Sequence, residues 1–189
     1  MKKSILLLVL LLGLTANAQE DDCNYTVIST ETGEIKSTPE YLMFEKVFGG
    51  TSSFIFFSLS NHDGMPVLNF QLLAKSNEFP KVYCLNNKSR IHLQLLNGKI
   101  VTLICVSEDQ CSGLLYDNVE KKNIRMLSGN FLFTKGSIED LDESPISFMR
   151  VKYSGETVDY PLSSNLKSET MGENYTPDSY FIKYMKCVK

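Results

Sequence analysis

Apolar residues in this chain fall into one unbroken stretch near the start and then into strand-length runs separated by turn chemistry. The unbroken stretch is Ile5 to Leu12. Lys2 and Lys3 precede it, and Ala16-Asn17-Ala18 follows as a small-x-small site before the polar Gln19-Glu20-Asp21-Asp22. That order is the order of a cleavable secretory signal peptide over residues 1–18. The run is shorter than the roughly 20 residues a permanent bilayer helix needs, and acids follow it where a stop-transfer segment carries bases. No permanent membrane span is therefore expected. Cys23 follows Glu20, Asp21 and Asp22 where a lipid-anchoring signal needs a small apolar box, so the mature chain is read as unlipidated.

Past residue 24 the pattern is that of an antiparallel meander. Tyr25 to Thr30 and Ile35 to Thr38 flank Glu31-Thr32-Gly33-Glu34 as a small hairpin. Tyr41 to Phe48 has two readings. Thr38-Pro39-Glu40 can open a helix with Tyr41, Phe44 and Phe48 on one stripe, and the same residues alternate as a strand; Gly49-Gly50 and the strand-like run beyond favour the strand. Phe54 to Ser60 is apolar on both faces, as in a central strand. Asn61-His62-Asp63-Gly64 makes the turn into Val67 to Ala74.

Asn97-Gly98 between Arg90–Leu96 and Lys99–Val106 predicts a two-residue type I′ hairpin. That register sets Leu95 opposite Ile100, Leu93 opposite Thr102 and Ile91 opposite Ile104 on one face, with Arg90, His92 and Gln94 on the other. Ile124 to Phe133 reads as a strand disturbed at Ser128-Gly129-Asn130. Ser137 caps a short helix with acids in its first turn, and Ile146 to Tyr153 with Thr157 to Tyr160 form the last hairpin. Ser163 to Asn174 is polar. Thr176-Pro177-Asp178 opens a C-terminal helix that packs Tyr180, Phe181, Tyr184, Met185 and Val188 to one side. The fold class predicted is α+β, mostly antiparallel sheet with one short helix and a C-terminal helix.

Removing 18 of the 189 residues leaves 171, the size of a single β-rich globular domain at 19–189. The formal net charge of −3 drops by two to −5 when Lys2 and Lys3 leave. No Lys/Arg stripe remains to displace counterions, so nucleic acid is not an expected partner. All five cysteines, Cys23, Cys84, Cys105, Cys111 and Cys187, lie in the mature part and meet an oxidising compartment. Two bridges and one leftover thiol allow about 15 arrangements. Cys105 with Cys111 is favoured, because Val106 to Gln110 reads as a returning polar loop; Cys23 with Cys187 is the second choice, because domain termini often lie close together.

The order of pieces from the Asn97-Gly98 hairpin onward is distinctive: Gly136-Ser137-Ile138-Glu139-Asp140-Leu141, Ser144-Pro145-Ile146, Phe148 to Tyr153, Val158-Asp159-Tyr160 and Tyr180 to Tyr184. In this order, and in its Asn17-Ala18-Gln19 leader, the chain resembles small exported proteins of unknown function common in Bacteroidetes-type bacteria. The resemblance covers about half of the chain, residues 97–189, and implies a location outside the inner membrane. It carries no active residues to transfer.

A thiolate nucleophile needs an imidazole or another positive charge nearby, and His62 and His92 are the two imidazoles. The type I′ register puts Cys105 beside Arg90 on the face of His92, so His92 and Cys105 are the weak catalytic candidates, with Cys84 as a substitute thiol. His62-Asp63 is first a turn dipeptide. Cys105 and Cys111 lack the second close ligand pair that tetrahedral zinc needs, and Glu139, Asp140, Asp142 and Glu143 read as a solvated face before a calcium site. No metal and no cofactor are expected.

Asn24-Tyr25-Thr26, Asn87-Lys88-Ser89 and Asn174-Tyr175-Thr176 fit the glycosylation pattern, which has no meaning in a bacterial source and marks exposed loops in a eukaryotic secreted protein. Tyr41, Phe44, Phe54, Phe56 and Phe57 make either core or a concave apolar surface for a ligand. The leading expectation is a secreted or periplasmic non-enzymatic module that binds a protein, a peptide or a small apolar ligand. The alternatives are a Cys/His thiol hydrolase and an inhibitor or immunity-type partner. Amino-terminal sequencing of material recovered outside the inner membrane is expected to begin at Gln19; a chain starting at Met1 in that fraction counts against the leader.

Overall fold

A computed structural model describes residues 23–30 and 33–189. The expected signal peptide and Glu31-Thr32 of the first turn lie outside the described residues. Strands β1 (Thr26–Thr30) and β2 (Gly33–Ser37) form the first hairpin, followed by β3 (Tyr41–Phe48), β4 (Thr51–His62), β5 (Met65–Ser76) and the short β6 (Cys84–Leu85). Next come β7 (Arg90–Leu95), β8 (Ile100–Cys105), β9 (Gln110–Cys111), β10 (Gly113–Asp117) and β11 (Lys122–Phe133). Helix α1 (Ser137–Glu143), β12 (Ile146–Lys152), β13 (Thr157–Pro161), β14 (Leu166–Lys167), β15 (Asn174–Tyr175) and α2 (Tyr180–Tyr184) complete the chain, with single 3-10 turns on either side of α2. The fold is α+β and mostly antiparallel sheet.

One sheet runs in the order β1-β2-β4-β5-β11-β8-β7-β12-β13, with β3 also beside β4 and β10 also beside β11. Its spine is the trio β4, β5 and β11, each twelve residues long. Strands β2 and β3 share one edge of β4 and are separated by Thr38-Pro39-Glu40. Proline has no N–H to give to a ladder. Thr38 compensates, donating its N–H to the Leu59 carbonyl at 2.8 Å and accepting the Leu59 N–H on its hydroxyl at 2.9 Å.

The inner face carries the core: Ile55, Phe57 and Leu59 of β4, Leu68, Phe70 and Leu72 of β5, and the matching residues of β11, β8, β7 and β12. The sheet curls round the core so that Phe44 of β3, beside β4, lies 5.1 Å from Tyr160 of the edge strand β13. Tyr180, Phe181, Met185 and Val188 fill the interior, all buried, as the one-sided pattern of the C-terminal segment predicts. Tyr153 and Tyr160 share a buried hydroxyl contact of 3.0 Å, and burial pushes both phenols well above their ordinary range.

Two turns depart from what their dipeptides suggest. Asp63 and Gly64 both have positive φ, at 51° and 86°, and His62 pairs directly with Met65, so Asp-Gly takes the two-residue type I′ turn. At Asn97-Gly98 only Gly98 is positive, at 86°, and Gly98 N–H donates to Leu95 O while Leu95 N–H donates to Lys99 O. This is a type I turn followed by a left-handed glycine, which shifts the hairpin by one residue. Gln94 therefore faces Ile100, Leu93 faces Val101 and Ile91 faces Leu103.

The shift follows from burial. The expected register turns Thr102 inward and Leu103 outward, which costs about 1–3 kcal/mol for the hydroxyl and forfeits about 1.5–3 kcal/mol of leucine burial. The observed register buries Val101, Leu103 and Cys105 together. The Pro145 carbonyl holds it by accepting Leu96 N–H at 2.9 Å.

Further differences from expectation have local causes. Strand β11 runs unbroken through Ser128-Gly129-Asn130, and Gly129 is there because a Cβ would collide with the Leu85 side chain crossing the strand. Helix α1 is capped by Gly136 in a left-handed conformation; Ser137 lies one residue inside, its hydroxyl 2.7 Å from that of Thr134. The polar segment from Ser163 onward forms the β14–β15 hairpin, strapped across the outer face where Leu166 and Tyr175 cover Leu42, Phe54 and Phe56. Glu45 anchors the strap by accepting the Thr170 N–H and O–H on Oε1.

Cys23 and Cys187 stand at disulfide distance with Cα atoms 5.6 Å apart, joining the two ends of the described chain. Cys111 pairs with Cys84, not with Cys105. The reason is register: β6 and β9 are direct neighbours that put Cys84 opposite Cys111, while Cys105 points inward and is free. Gly129→Ala is expected to lower unfolding free energy by about 1–3 kcal/mol through overpacking against Leu85, measured by denaturant titration. Combined with Leu85→Ala, the Gly129→Ala penalty is expected to shrink; strictly additive losses would show that the contact is not the cause.

Candidate functional site

The outer face of β7, β8, β12 and β13 presents three transverse rows of side chains. Pairing across the strands puts Phe148, Gln94 and Ile100 in one row, Asp159, Arg150, His92 and Thr102 in the next, and Lys152, Arg90 and Ile104 in the third. Alternation fixes this, because each of these residues neighbours a core residue in sequence. A shallow groove of about 360 Å³ is lined by His92, Gln94, Ile100, Phe148 and Arg150.

Phe148 reaches this face through a bulge. Ile146 pairs with Leu95 and Phe148 with Gln94, so Ser147 is the extra residue, and both Ile146 and Met149 point into the core. Without the bulge Phe148 would share the inward face of Ile146. The Ser147 hydroxyl donates to the Gln94 carbonyl at 3.1 Å and holds the kink. Ile100 is 66 % exposed beside it, an apolar side chain turned to solvent by the one-residue shift of the hairpin.

The polar side of the groove is ordered by charge pairing. Arg150 donates from Nε and Nη2 to the two carboxylate oxygens of Asp159, at 2.6 and 2.8 Å, and its guanidinium carbon lies 5.8 Å from the Phe148 ring centroid. The pair holds the Asp159 carboxyl below its ordinary range and the Arg150 guanidinium above its own. His92 Nδ1 is 2.9 Å from the Thr102 hydroxyl. Partial burial depresses the His92 pKa, and Arg150, Lys152 and Arg90 push it the same way, so the imidazole is neutral near pH 7.

The thiol candidates do not join this site. Cys105 is 2 % exposed on the inner face, opposite to His92, and burial pushes its thiol pKa up, away from the thiolate a nucleophile needs. The expected His92/Cys105 neighbourhood depended on the type I′ register, which the hairpin does not adopt. Cys84 is tied to Cys111. His62 sits at the Asp63-Gly64 turn with Nε2 3.0 Å from the Ser60 hydroxyl.

Asp140 and Asp142 of α1 form ion pairs with Lys99 and Lys189. Among the described residues no group of three or more His, Cys, Asp or Glu side chains is placed to hold a metal ion. The clustered aromatics are split between two faces: Phe57 lies in the inner core, Tyr41 and Phe44 pack against it, and Phe54 and Phe56 lie under the β14–β15 strap. The five rings therefore share no single surface; Tyr41 alone lines a cleft of about 290 Å³ with Asn24, Pro39, Glu40 and Tyr184. A second groove, between β4, β5 and β11, holds about 80 Å³, too little for more than a few waters.

Protein-family models, curated proteins and solved structures give no match to the chain, so the site itself carries the functional reading. Sequence reasoning placed Arg90, His92 and Gln94 on one outer face but missed Ile100, Phe148 and Arg150 as their neighbours. Alternation in Arg150-Val151-Lys152 pointed outward for both bases, whereas the Ser147 bulge left no recognisable signal. Cys105 is expected to resist Ellman's reagent in the native protein and to give one reactive thiol after unfolding without reductant. Rapid labelling of the native state, or three reactive thiols, would contradict the inward placement and the two bridges.

Proposed function

We propose that the protein is an exported, non-enzymatic binding module whose working surface is the groove on the outer face of β7, β8 and β12. The observation that carries this reading is the exposure of Ile100 beside Phe148, flanked by His92 and Arg150, where alternation alone would leave polar side chains. An apolar strip bordered by a few oriented polar groups is the usual composition of a ligand site. Export is supported by the leader-like residues 1–18, by two cysteine pairs at disulfide distance and by the likeness of residues 97–189 to small exported proteins. No described helix is long and apolar enough to cross a membrane. The thiol-hydrolase alternative gains no support from a buried Cys105 and a bridged Cys84.

A fragment screen by two-dimensional amide NMR tests the site. Hits are expected to converge on the amides of His92, Gln94, Ile100 and Phe148 and to be lost in Ile100→Ser/Phe148→Ser. Ile100→Ser alone is expected to change stability by no more than about 0.5 kcal/mol, as an exposed position should. Hits converging on another face of a stably folded protein would refute the assignment.

A further inference from the structure

Resting on that reading of the groove, we propose that its ligand is a small carboxylate with a planar apolar body, the body lying on Phe148 and Ile100 and the carboxylate facing Arg150, His92 and Lys152. Three observations on this face lead there. The first is charge: Arg90, Arg150 and Lys152 stand against the single acid Asp159 in a chain whose formal net charge is −3. A locally positive surface on an acidic protein selects anions by complementarity.

The second is the direction of the unused donors. Arg150 spends Nε and Nη2 on Asp159, which leaves Nη1 without a protein partner among the described residues, and Lys152 Nζ has none either. Arg90 is turned aside, its Nη1 donating to the carbonyls of Asn87 and Ser89. Thr102 occupies His92 Nδ1 through the 2.9 Å contact with its hydroxyl, which leaves Nε2 without a protein partner among the described residues and open to a ligand. Asp159 thus holds Arg150 in place across Phe148 through Nε and Nη2 and leaves Nη1 for a ligand.

The third is size. A volume of about 360 Å³ lies at the low end for ligand sites and fits a ring-sized acid. The apolar strip, half-buried Phe148 with exposed Ile100, supplies one stacking surface and one aliphatic edge, which matches a single planar group.

Amide NMR titration of the protein lacking residues 1–18 with phenylacetate, phenylacetamide and acetate tests the proposal. Phenylacetate is expected to shift the amides of His92, Gln94, Ile100 and Phe148 saturably, with phenylacetamide and acetate each binding about tenfold or more weakly, the scale of one charge-assisted hydrogen bond or one ring contact. Lys152→Gln is expected to weaken phenylacetate severalfold and leave phenylacetamide unchanged.

Bound phenylacetate is also expected to raise the His92 pKa, because a carboxylate then faces the imidazole alongside Arg90, Arg150, Lys152 and Asp159; binding should tighten as pH falls through that pKa. Equal binding of phenylacetate and phenylacetamide in the groove would overturn the carboxylate assignment while leaving the groove as a site. Equal binding of acetate would overturn the apolar body. Convergence of unrelated fragments on this groove with no response to phenylacetate would overturn this proposal alone, and silence toward every fragment would overturn both.

Discussion

Burial of Val101, Leu103 and Cys105 against Ile91, Leu93 and Leu95 fixes how β7 and β8 pair, and the outer face depends on that pairing. Side chains on a strand alternate with period two, so a shift of one residue moves every side chain of β8 to the other face. Ile100 and Ile104 face solvent, Thr102 meets His92, and Cys105 goes inside. The same constraint that completes the core builds the apolar floor of the groove and removes the thiol from the imidazole.

Much of the fold could be read from residue pattern. The strand runs, the Tyr41–Phe48 strand before a double glycine, the short acidic helix and the one-sided C-terminal helix all lie where periodicity places them. What escaped was decided by contacts between segments distant in sequence. Asn97-Gly98 has the composition of a type I′ turn, yet the Pro145 carbonyl and the core select another geometry. Cys111 lies six residues from Cys105, but the β6–β9 neighbourhood brings Cys84 to it. Gly129 resembled an interruption because the Leu85 side chain that requires it comes from another part of the chain.

The site was legible only in part for the same reason. Arg90, His92 and Gln94 fall on one face by alternation alone, whichever register β8 adopts. Their neighbours needed two irregularities, the left-handed Gly98 and the Ser147 bulge, and neither has a signature strong enough to read from one sequence. The aromatic run in β4 was misleading in a related way. Phe54 and Phe56 face outward and are apolar because a polar strap from the C-terminal third covers them.

The Cys23–Cys187 bridge has a mechanical consequence. Every strand from β1 to β15 and both helices lie inside the covalent loop that it closes. Edge strand β1, which pairs only with β2, is the natural place for the sheet to begin to peel. Tension applied to the two ends of this loop is borne by sulfur and never reaches the hydrogen bonds of β1.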